Sequence, residues 1–335
     1  EDSIAVASVS AVYAEDSIAV ASVSAVSAED SIAVASGVDS VSVVSGDDSI
    51  AAASGDDSVS AASANDSIAA ASGNDYTLEE GENAIYVNAS AEIDGNGTKE
   101  SPYKNLSHSL SGKTVYIANG NYTLEQYIVI GLDTIIIGES QDKTILTGGL
   151  YYGIHINHNC DLNISNLTIS QSAFNCFGDL HATNIRFRDG MPKGDGTGNN
   201  WGSLINTRDT FSSYTLGIMS NLFFDYCTFE DSYAEYGGGI YLSNASATIS
   251  NSRFINLSSY NFGGAIAAES GGVLTIINTS FINLSSENDA GGAIYSRNTD
   301  LFIDNCSFEN CSATFGGAIA KLESKINVNN SRFIN

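Results

Sequence analysis

The tetrapeptide Gly-Gly-Ala-Ile returns at nearly regular intervals in the last third of the sequence. It occurs at residues 263–266, 291–294 and 316–319, with a near copy, Gly-Gly-Gly-Ile, at 237–240. Self-similarity at a period of about 25 residues is typical of solenoids, in which each repeat is one structural unit stacked on the next. This repeat constrains the fold more than any local motif does.

Each repeat also contains the alternation of a β-strand. Ala247, Ile249 and Asn251 lie seven, five and three residues before Phe254, and apolar residues at every second position indicate a strand with one buried face. The same columns precede Ile169, Phe187, Phe229, Phe281, Phe308 and Phe333. The repeats lack a helical 3.6-residue period. The sequence therefore predicts an all-β fold, a right-handed parallel β-helix with strands about 4.8 Å apart.

Asparagine occupies the position where the alternation breaks. The step from the Asn column to the Phe column is three residues instead of two, so we expect a corner there. Asn tolerates the left-handed backbone region, and its amide can bond to the amide of the next coil. The predicted structural ladder consists of Asn166, Asn184, Asn251, Asn278, Asn305 and Asn330. Gly-Gly-Ala-Ile marks another corner, where glycine permits positive φ and close packing of successive backbones.

The first quarter of the chain has a different, low-complexity composition. Residues 1–75 contain 13 Asp or Glu and no Lys or Arg, and Asp-Ser-Ile or Asp-Ser-Val recurs every 14 and then every 9 residues. So little large apolar surface predicts a disordered acidic spacer. The alternative is a calcium-binding β-roll, whose nonapeptide repeat residues 46–50 match only in its second half.

The remainder divides into two parts. Residues 76–113 are predicted to be a lead-in segment and N-terminal cap. Residues 114–335 are predicted to be the β-helix, with an inserted loop near 189–216 because Phe187 and Phe229 lie 42 residues apart. Since the chain begins with Glu1 and ends within a repeat, we expect it to be a processed or excised segment.

Charge and composition exclude several classes of function. A net charge of −26 opposes binding to nucleic acid or to anionic membranes, because such binding relies on Lys and Arg. No apolar run approaches the roughly 20 residues of a membrane span, so no membrane-spanning segment is predicted. The five cysteines form no Cys-x-x-Cys pair, and no metal site is predicted. No cofactor is expected, apart from calcium in the β-roll alternative.

Titratable side chains concentrate between residues 151 and 210. They are His155, His158, Asp161, Asp179, His181, Arg186, Arg188, Asp189, Asp195, Arg208 and Asp209. The same region contains a Gly-rich insertion with the only tryptophan, Trp201, and an exposed aromatic ring on a loop is suited to stacking on a sugar. Asp189, Trp201 and Arg208 are therefore the predicted ligand-binding residues.

Neither a metal centre nor a catalytic centre is predicted in this region. His155 and His158 are three residues apart, so on a strand their rings point to opposite faces and do not share a metal. A β-helix lyase or hydrolase needs clustered carboxylates, and Asp189 and Asp195 fall in no column repeated on neighbouring coils. The predicted set of catalytic residues is empty.

Asn-x-Ser/Thr triplets, the acceptor sequence for N-glycosylation, are frequent. They include Asn88, Asn96, Asn121, Asn244, Asn256 and Asn283. A chain rich in Asn and Ser also produces such triplets by chance. Asn278 and Asn305 match as well, but as ladder residues they are expected to be inaccessible.

The repeats resemble those of a known group of surface proteins. Gly-Gly-Ala-Ile followed by Asn-Ser-Arg-Phe, Asn-Thr-Ser-Phe or Asn-Cys-Ser-Phe, with Phe-x-Asn at 254–256, 281–283 and 308–310, is similar to chlamydial polymorphic outer membrane proteins. The pattern more closely resembles adhesin-like surface proteins of methanogenic archaea. Residues 94–106 and 112–124 are similar to the start of pectin-lyase-like β-helices. The resemblance covers about 76–335 and implies a secreted right-handed β-helix on a cell surface.

The expected function is that of a non-catalytic, cell-surface or secreted adhesin-like protein. Loops on the β-helix would bind a glycan or protein of another cell or of the matrix. The same fold hosts enzymes, so the first alternative is a polysaccharide lyase or hydrolase with its site around 151–210. The second alternative is a structural component of the envelope.

Overall fold

The structure is a computed structural model that describes residues 83–148, 152–190, 204–207 and 220–334, together with the backbone of six short strands between residues 23 and 72. The chain separates into two compact units, residues 1–81 and residues 82–335.

The first unit contains two three-stranded parallel sheets. Its strands are β1 (Val23–Val26), β2 (Ser31–Ser36), β3 (Ser40–Val44), β4 (Ser49–Ser54), β5 (Ser58–Ala62) and β6 (Ser67–Ser72). Odd-numbered strands form one sheet and even-numbered strands the other. Val23 pairs with Val41 and Ser31 with Ser49, so partners are two nine-residue repeats apart.

The disorder expected from composition for residues 1–75 stays a prediction, because only the backbone of six short strands is described there. A chain that alternates between two parallel sheets has the winding of the β-roll alternative. The Asp-containing turns that would bind calcium lie outside the described residues. Calcium binding and the role of residues 1–75 as a spacer both stay predictions.

The second unit is a right-handed parallel β-helix of about 9 turns, which confirms the predicted fold class. Its first strands are β7 (Ala84–Val87), β8 (Thr114–Ile117), β9 (Gly120–Thr123), β10 (Ile128–Ile130), β11 (Thr134–Gly138), β12 (Thr144–Thr147), β13 (Ile154–Ile156), β14 (Asp161–Ser170), β15 (Phe174–Cys176), β16 (Asp179–Arg188) and β17 (Ile205–Asn206). The later strands are β18 (Ser220–Asp225), β19 (Thr228–Tyr236), β20 (Ile240–Ser243), β21 (Ala245–Ser250), β22 (Arg253–Phe262), β23 (Ile266–Glu269), β24 (Val273–Ile277), β25 (Ser280–Ser286), β26 (Ile294–Arg297), β27 (Asp300–Asp304), β28 (Ser307–Ser312), β29 (Ile319–Leu322), β30 (Ile326–Asn329) and β31 (Arg332–Ile334).

The strands stack into three faces, which the chain visits in the same order in every coil. Face 1 contains β8, β11, the first halves of β14 and β16, β18, β21, β24, β27 and β30, with β7 paired to β8. Face 2 contains β9, β12, the second halves of β14 and β16, β19, β22, β25, β28 and β31. Face 3 contains β10, β13, β15, β17, β20, β23, β26 and β29. The described residues of this unit contain no helix.

The core is a set of stacked columns inside the coils. On face 1, Phe224, Ile249, Ile276 and Ile303 are in register and almost completely buried. On face 2, the phenylalanine column of the sequence forms a continuous stack. Its centroid distances are 4.9 Å from Phe187 to Phe229, 4.6 Å to Phe254, 4.9 Å to Phe281, 4.7 Å to Phe308 and 4.8 Å to Phe333. Stacked identical rings bury apolar area without changing the width of the coil.

The Asn column lies at the corner between faces 1 and 2. All six predicted residues have positive φ, between 46° and 58°. Nδ2 of Asn184 donates to Oδ1 of Asn166 at 2.8 Å, and the pairs Asn278 to Asn251 and Asn305 to Asn278 measure 3.2 and 2.6 Å. The remaining predicted residue, Asn330, donates to Oδ1 of Asp304 instead, at 2.9 Å.

The ladder is interrupted in the coil of β18. Tyr226 occupies the Asn position there with a φ of 51°, and Asn251 donates to Oδ1 of Asp225 at 2.8 Å. The amide column therefore consists of two separate runs. Tyr226 has no carboxamide next to its backbone, so it cannot continue the column of amide-to-amide hydrogen bonds.

A second ladder, which the sequence reading missed, lies two residues after each phenylalanine. Asn256 donates to Asp231, Asn283 to Asn256 and Asn310 to Asn283, each at 3.1 Å, and all four have φ between 53° and 57°. The signal was available in the Phe-x-Asn spacing. In the sequence, Phe-x-Asn was interpreted only as part of the family resemblance, and Asn256 and Asn283 only as glycosylation triplets.

The structure explains why glycine comes twice in Gly-Gly-Ala-Ile. The first glycine of each copy has positive φ, for example 61° at Gly263. The second glycine faces the next coil, since a Cβ added to Gly264 would lie 2.0 Å from the carbonyl oxygen of Gly292. A Cβ at Gly263 would also lie 2.0 Å from the carbonyl oxygen of Ile266, so the first glycine is required on conformational and steric grounds and the second on steric grounds.

The predicted inserted loop is divided by a short strand. Within 189–216, Ile205 of β17 pairs with Phe174 of β15 and with Ile240 of β20, and Leu204 and Ile205 are fully buried. The chain therefore returns to face 3 between two segments that lie outside the described residues.

All five cysteines are unpaired and buried. Burial raises the pKa of the Cys227 thiol to about 12, which leaves it protonated and unreactive at neutral pH. In the part of the chain that the structure describes, no helix is long and apolar enough to cross a membrane.

Candidate ligand-binding face

The structure describes one of the three predicted ligand-binding residues. Asp189 lies directly after β16 with a φ of 52°, in the position that Asp231 and Asn256 occupy in later coils. Its Oδ2 accepts a hydrogen bond from Ser170 Oγ at 2.9 Å and lies 3.4 Å from Arg188 Nε. Asp189 is thus a corner residue, and its ligand-binding role stays a prediction. Trp201 and Arg208 lie outside the described residues.

Arg186, in the same titratable region, links neighbouring coils of face 2. Arg186 Nη1 donates to Asp142 Oδ1 at 2.8 Å, and Arg186 Nε lies 3.6 Å from Glu230 Oε1. These side chains are partly exposed, and exposed ion pairs contribute about 0–1 kcal/mol. This group stabilises neighbouring coils and does not join Asp189 in a pocket.

Face 1 carries a column of aspartates on its outer side, and the sequence reading was wrong to find no acids stacked on successive coils. Asp133 precedes β11, and Asp161 and Asp179 begin β14 and β16 in register. Asp133 Oδ1 accepts from the backbone N–H of Asp161 at 3.0 Å, and Asp179 Oδ1 accepts from that of Asn221 at 2.7 Å. The signal was an Asp directly before an inward-facing Leu or Thr.

Two residues further along the same outer surface, His181 stacks on Phe223. The ring centroids are 4.5 Å apart and the planes differ by 7°. The two residues are register partners on β16 and β18, and alternation places them on the outer side because Leu180 and Leu222 are buried. Phe223 is 41% exposed. At this spacing each ring covers one face of the other, so the pair presents mainly ring edges to solvent.

The imidazole of His181 is kept neutral. Burial against its neighbours lowers the pKa of His181, and the negative charge of Asp179 opposes the shift only in part. A neutral imidazole has one donor and one acceptor nitrogen, so His181 can form both kinds of hydrogen bond at its edge.

A second aromatic group lies at the corner where face 3 passes into face 1. His155 on β13 contacts the ring of Phe177 edge-on at 5.0 Å, and His158 stacks on the same ring at 5.5 Å. β13 ends at Ile156, and His158 is an exposed turn residue. Strand alternation therefore does not apply to this pair, and the two rings contact the same phenylalanine.

We call these two neighbouring groups together the Asp-His face. It consists of His155, His158, Phe177, Asp161, Asp179, His181 and Phe223. Asp179 precedes His181 by two residues on β16, a step of about 7 Å. Carboxylates and ring edges therefore lie side by side on the outer surface of face 1. Such a surface can contact the apolar parts of a sugar and accept hydrogen bonds from its hydroxyl groups.

The carboxylates of this face do not form a cation site. Among the described residues, no group of three or more His, Cys, Asp or Glu side chains is placed to hold a metal ion. The carboxylate oxygens of Asp133 and Asp179 are used as acceptors for backbone amides, as is Asp300 Oδ1 for Lys325 N–H at 3.0 Å in a later coil.

No protein-family model matches the chain, and no curated protein matches it.

Proposed function

We propose that the protein is an adhesin-like, extracellular or cell-surface protein that binds a glycan of another cell or of the surrounding matrix through the Asp-His face. One observation carries the proposal: Phe223, 41% exposed, stacks on the partly buried His181 on the outer side of a parallel sheet, two residues from the carboxylate of Asp179 along β16. Exposed aromatic rings next to hydrogen-bonding groups are typical of binding surfaces.

The shape of the site supports an extended ligand. Asp161, Asp179, His181 and Phe223 follow successive coils of face 1, and His155, His158 and Phe177 lie at the adjoining corner with face 3. A chain of sugars can lie along such a surface, with weak contacts at each unit. Many copies on a cell surface would add avidity to a modest affinity for each site.

An exposed position on the same face provides a matched control. Phe302 lies in the same outer column as Phe223, because Phe223, Thr248, Thr275 and Phe302 are successive register partners. Phe302 is 40% exposed, against 41% for Phe223, but its partners Thr275 and Asn327 are not aromatic. Phe223 and Phe302 therefore have different neighbours but almost the same exposed fraction.

The experiment measures binding of the full chain to a panel of plant and microbial polysaccharides. We expect Phe223→Ala to weaken binding about tenfold, since a stacked ring contributes roughly 0.5–1.5 kcal/mol and also holds His181 in place. Phe302→Ala should bind as the wild type does. If the wild type and both variants bind equally well, the Asp-His face is not the binding site. If none of them binds any glycan, a structural envelope component is the better account.

A second candidate function, a polysaccharide lyase or hydrolase, is favoured by the stacked aspartates beside the neutral His181. The same incubations are read for newly formed reducing or unsaturated ends. Turnover that disappears in Asp179→Asn would move the protein to the enzyme class. The backbone hydrogen bonds of Asp133 and Asp179 rank this candidate second, because they assign these carboxylates a structural role.

A further inference from the structure

The Asn-x-Ser/Thr triplets fall into two structural classes, although they are equivalent in sequence. Asn96 and Asn105 lie in the cap between β7 and β8, with exposed side chains. Asn278 and Asn305 lie in the first ladder, and their side chains are exposed too. The prediction that the ladder residues are inaccessible is therefore wrong, and exposure does not separate the two classes.

The cap asparagines are held through their oxygen alone. Oδ1 of Asn96 accepts from N–H and Oγ1–H of Thr98, at 3.3 and 3.0 Å. Oδ1 of Asn105 accepts from N–H and Oγ–H of Ser107, at 3.0 and 2.5 Å. Both triplets thus have the same turn, in which the hydroxyl group polarises the carboxamide. Nδ2 of each has no hydrogen-bond partner among the described residues.

The ladder asparagines are held through their nitrogen. Nδ2 of Asn278 donates to Asn251, and Nδ2 of Asn305 donates to Asn278. The hydroxyl residues of their triplets, Ser280 and Ser307, belong to β25 and β28. Modification at these positions would have to break a ladder bond and displace a strand.

We infer that Asn96 and Asn105 are acceptor sites for an N-linked oligosaccharide on the folded protein, and that the ladder asparagines are not. The inference rests on the extracellular location in the proposed function, because the donor is a lipid-phosphate-linked oligosaccharide outside the cytoplasm. Nδ2 bonds to the anomeric carbon, the bond from that carbon to the phosphate oxygen breaks, and the lipid phosphate leaves with the electron pair. One Nδ2 proton passes to a base of the transferase.

The cap adjoins β7 and β8, and Phe223 lies on β18, four coils further along face 1. At about 4.8 Å per coil the separation from Phe223 along the axis is roughly 20 Å. Asp161 on β14 is closer, two coils from β8 and so about 10 Å along the axis.

The test uses the purified, folded full chain, an oligosaccharyltransferase and a lipid-linked oligosaccharide, with occupancy of each site measured by peptide mass spectrometry. We expect Asn96 and Asn105 to be modified and Asn278 and Asn305 to be modified at least about tenfold more slowly, the factor for breaking one hydrogen bond. In the urea-unfolded chain all four should react at similar rates.

Thr98→Val and Ser107→Ala provide the matched variants, since each removes one hydroxyl group and keeps the asparagine. Each should abolish modification at its own site alone. The inference is overturned if Asn96 and Asn105 stay unmodified in the folded chain but react in the unfolded chain, or if the folded ladder reacts as fast as the cap. Failure of the glycan-binding experiment leaves these occupancies unchanged, so the two proposals fail separately.

Discussion

The coils between residues 220 and 334 and those between 114 and 190 have the same winding but are held together differently. The later coils contain the phenylalanine stack and the second ladder in every turn. In the earlier coils the column of Phe187 continues through Ile169, Leu146 and Tyr122, and the second-ladder position holds Gln171 and Asp189. Parallel pairing and an apolar interior are enough to continue the helix, whereas identical side chains add cross-coil contacts.

The difference also extends to the outer surface. Face 1 in the later coils presents Ser, Thr, Asn and Asp with scattered apolar residues, as in β21, where Ser246, Thr248 and Ser250 point outward. The Asp-His face lies mainly on the earlier coils, and Phe223 of β18 is its one member in the later coils. Regular coils therefore serve stability, and the less regular coils present more varied chemistry on an equally rigid backbone.

The largest expected effect is the loss of stability when one ring is removed from the phenylalanine stack. Phe281→Ala removes a fully buried ring that stacks on Phe254 and Phe308, and we expect a loss of about 3–5 kcal/mol in the free energy of unfolding. Loss of the circular-dichroism signal in urea measures it. Phe302→Ala, at an outward position, should change stability by less than about 0.5 kcal/mol. Similar losses in the two variants would contradict the assignment of inner and outer columns.

The next effect tests the first ladder. Asn278→Leu removes the amide bonds to Asn251 and Asn305 and places a branched side chain at a φ of 49°. Each hydrogen bond contributes about 0.5–1.5 kcal/mol and the left-handed backbone costs about 1–2 kcal/mol. We expect destabilisation of roughly 2–4 kcal/mol by urea titration. An unchanged midpoint would show that the ladder does not stabilise the fold.

A smaller effect, of opposite sign, is expected where the ladder is interrupted. Tyr226→Asn introduces a residue that tolerates the observed φ of 51°, and the tyrosine lost is 43% exposed. We expect stabilisation of about 1–2 kcal/mol from relief of backbone strain and one added amide bond. The midpoint of thermal unfolding measures it, with Tyr260→Asn, an exposed tyrosine elsewhere, as the control. Destabilisation would mean that the tyrosine ring has a role of its own.

The smallest effect concerns the Asp-His face and depends on pH. Burial lowers the pKa of His181 in the folded protein, so below about pH 6.5 the unfolded chain binds the additional proton and stability falls. Between pH 7.5 and 5.0 the wild type should lose more thermal stability than His181→Gln, which has no titrating group there. An equal loss in both proteins would indicate that His181 is not shielded from water.

The number of residues between members of the site explains which parts of it could be predicted from the sequence. Asp133, Asp161 and Asp179 are separated by unequal intervals in the sequence, so they align only after the coils are in register. His181 and Phe223 are 42 residues apart, across a segment of the chain that returns to face 3 as β17. The contact of His155 and His158 with Phe177 could not be predicted, because it depends on where β13 ends and the turn begins.

The sequence by itself determined the parallel β-helix, its inward columns and its Asn and Gly corners. These features are local and periodic. Because every repeat contains the same pattern, a single chain provides several independent examples of it. Tertiary structure alone decided which outward side chains meet and which asparagine nitrogens are left without a hydrogen bond. The physical reason is that outward positions are not required to repeat, because water accepts almost any side chain, and their neighbours are set by the register between coils.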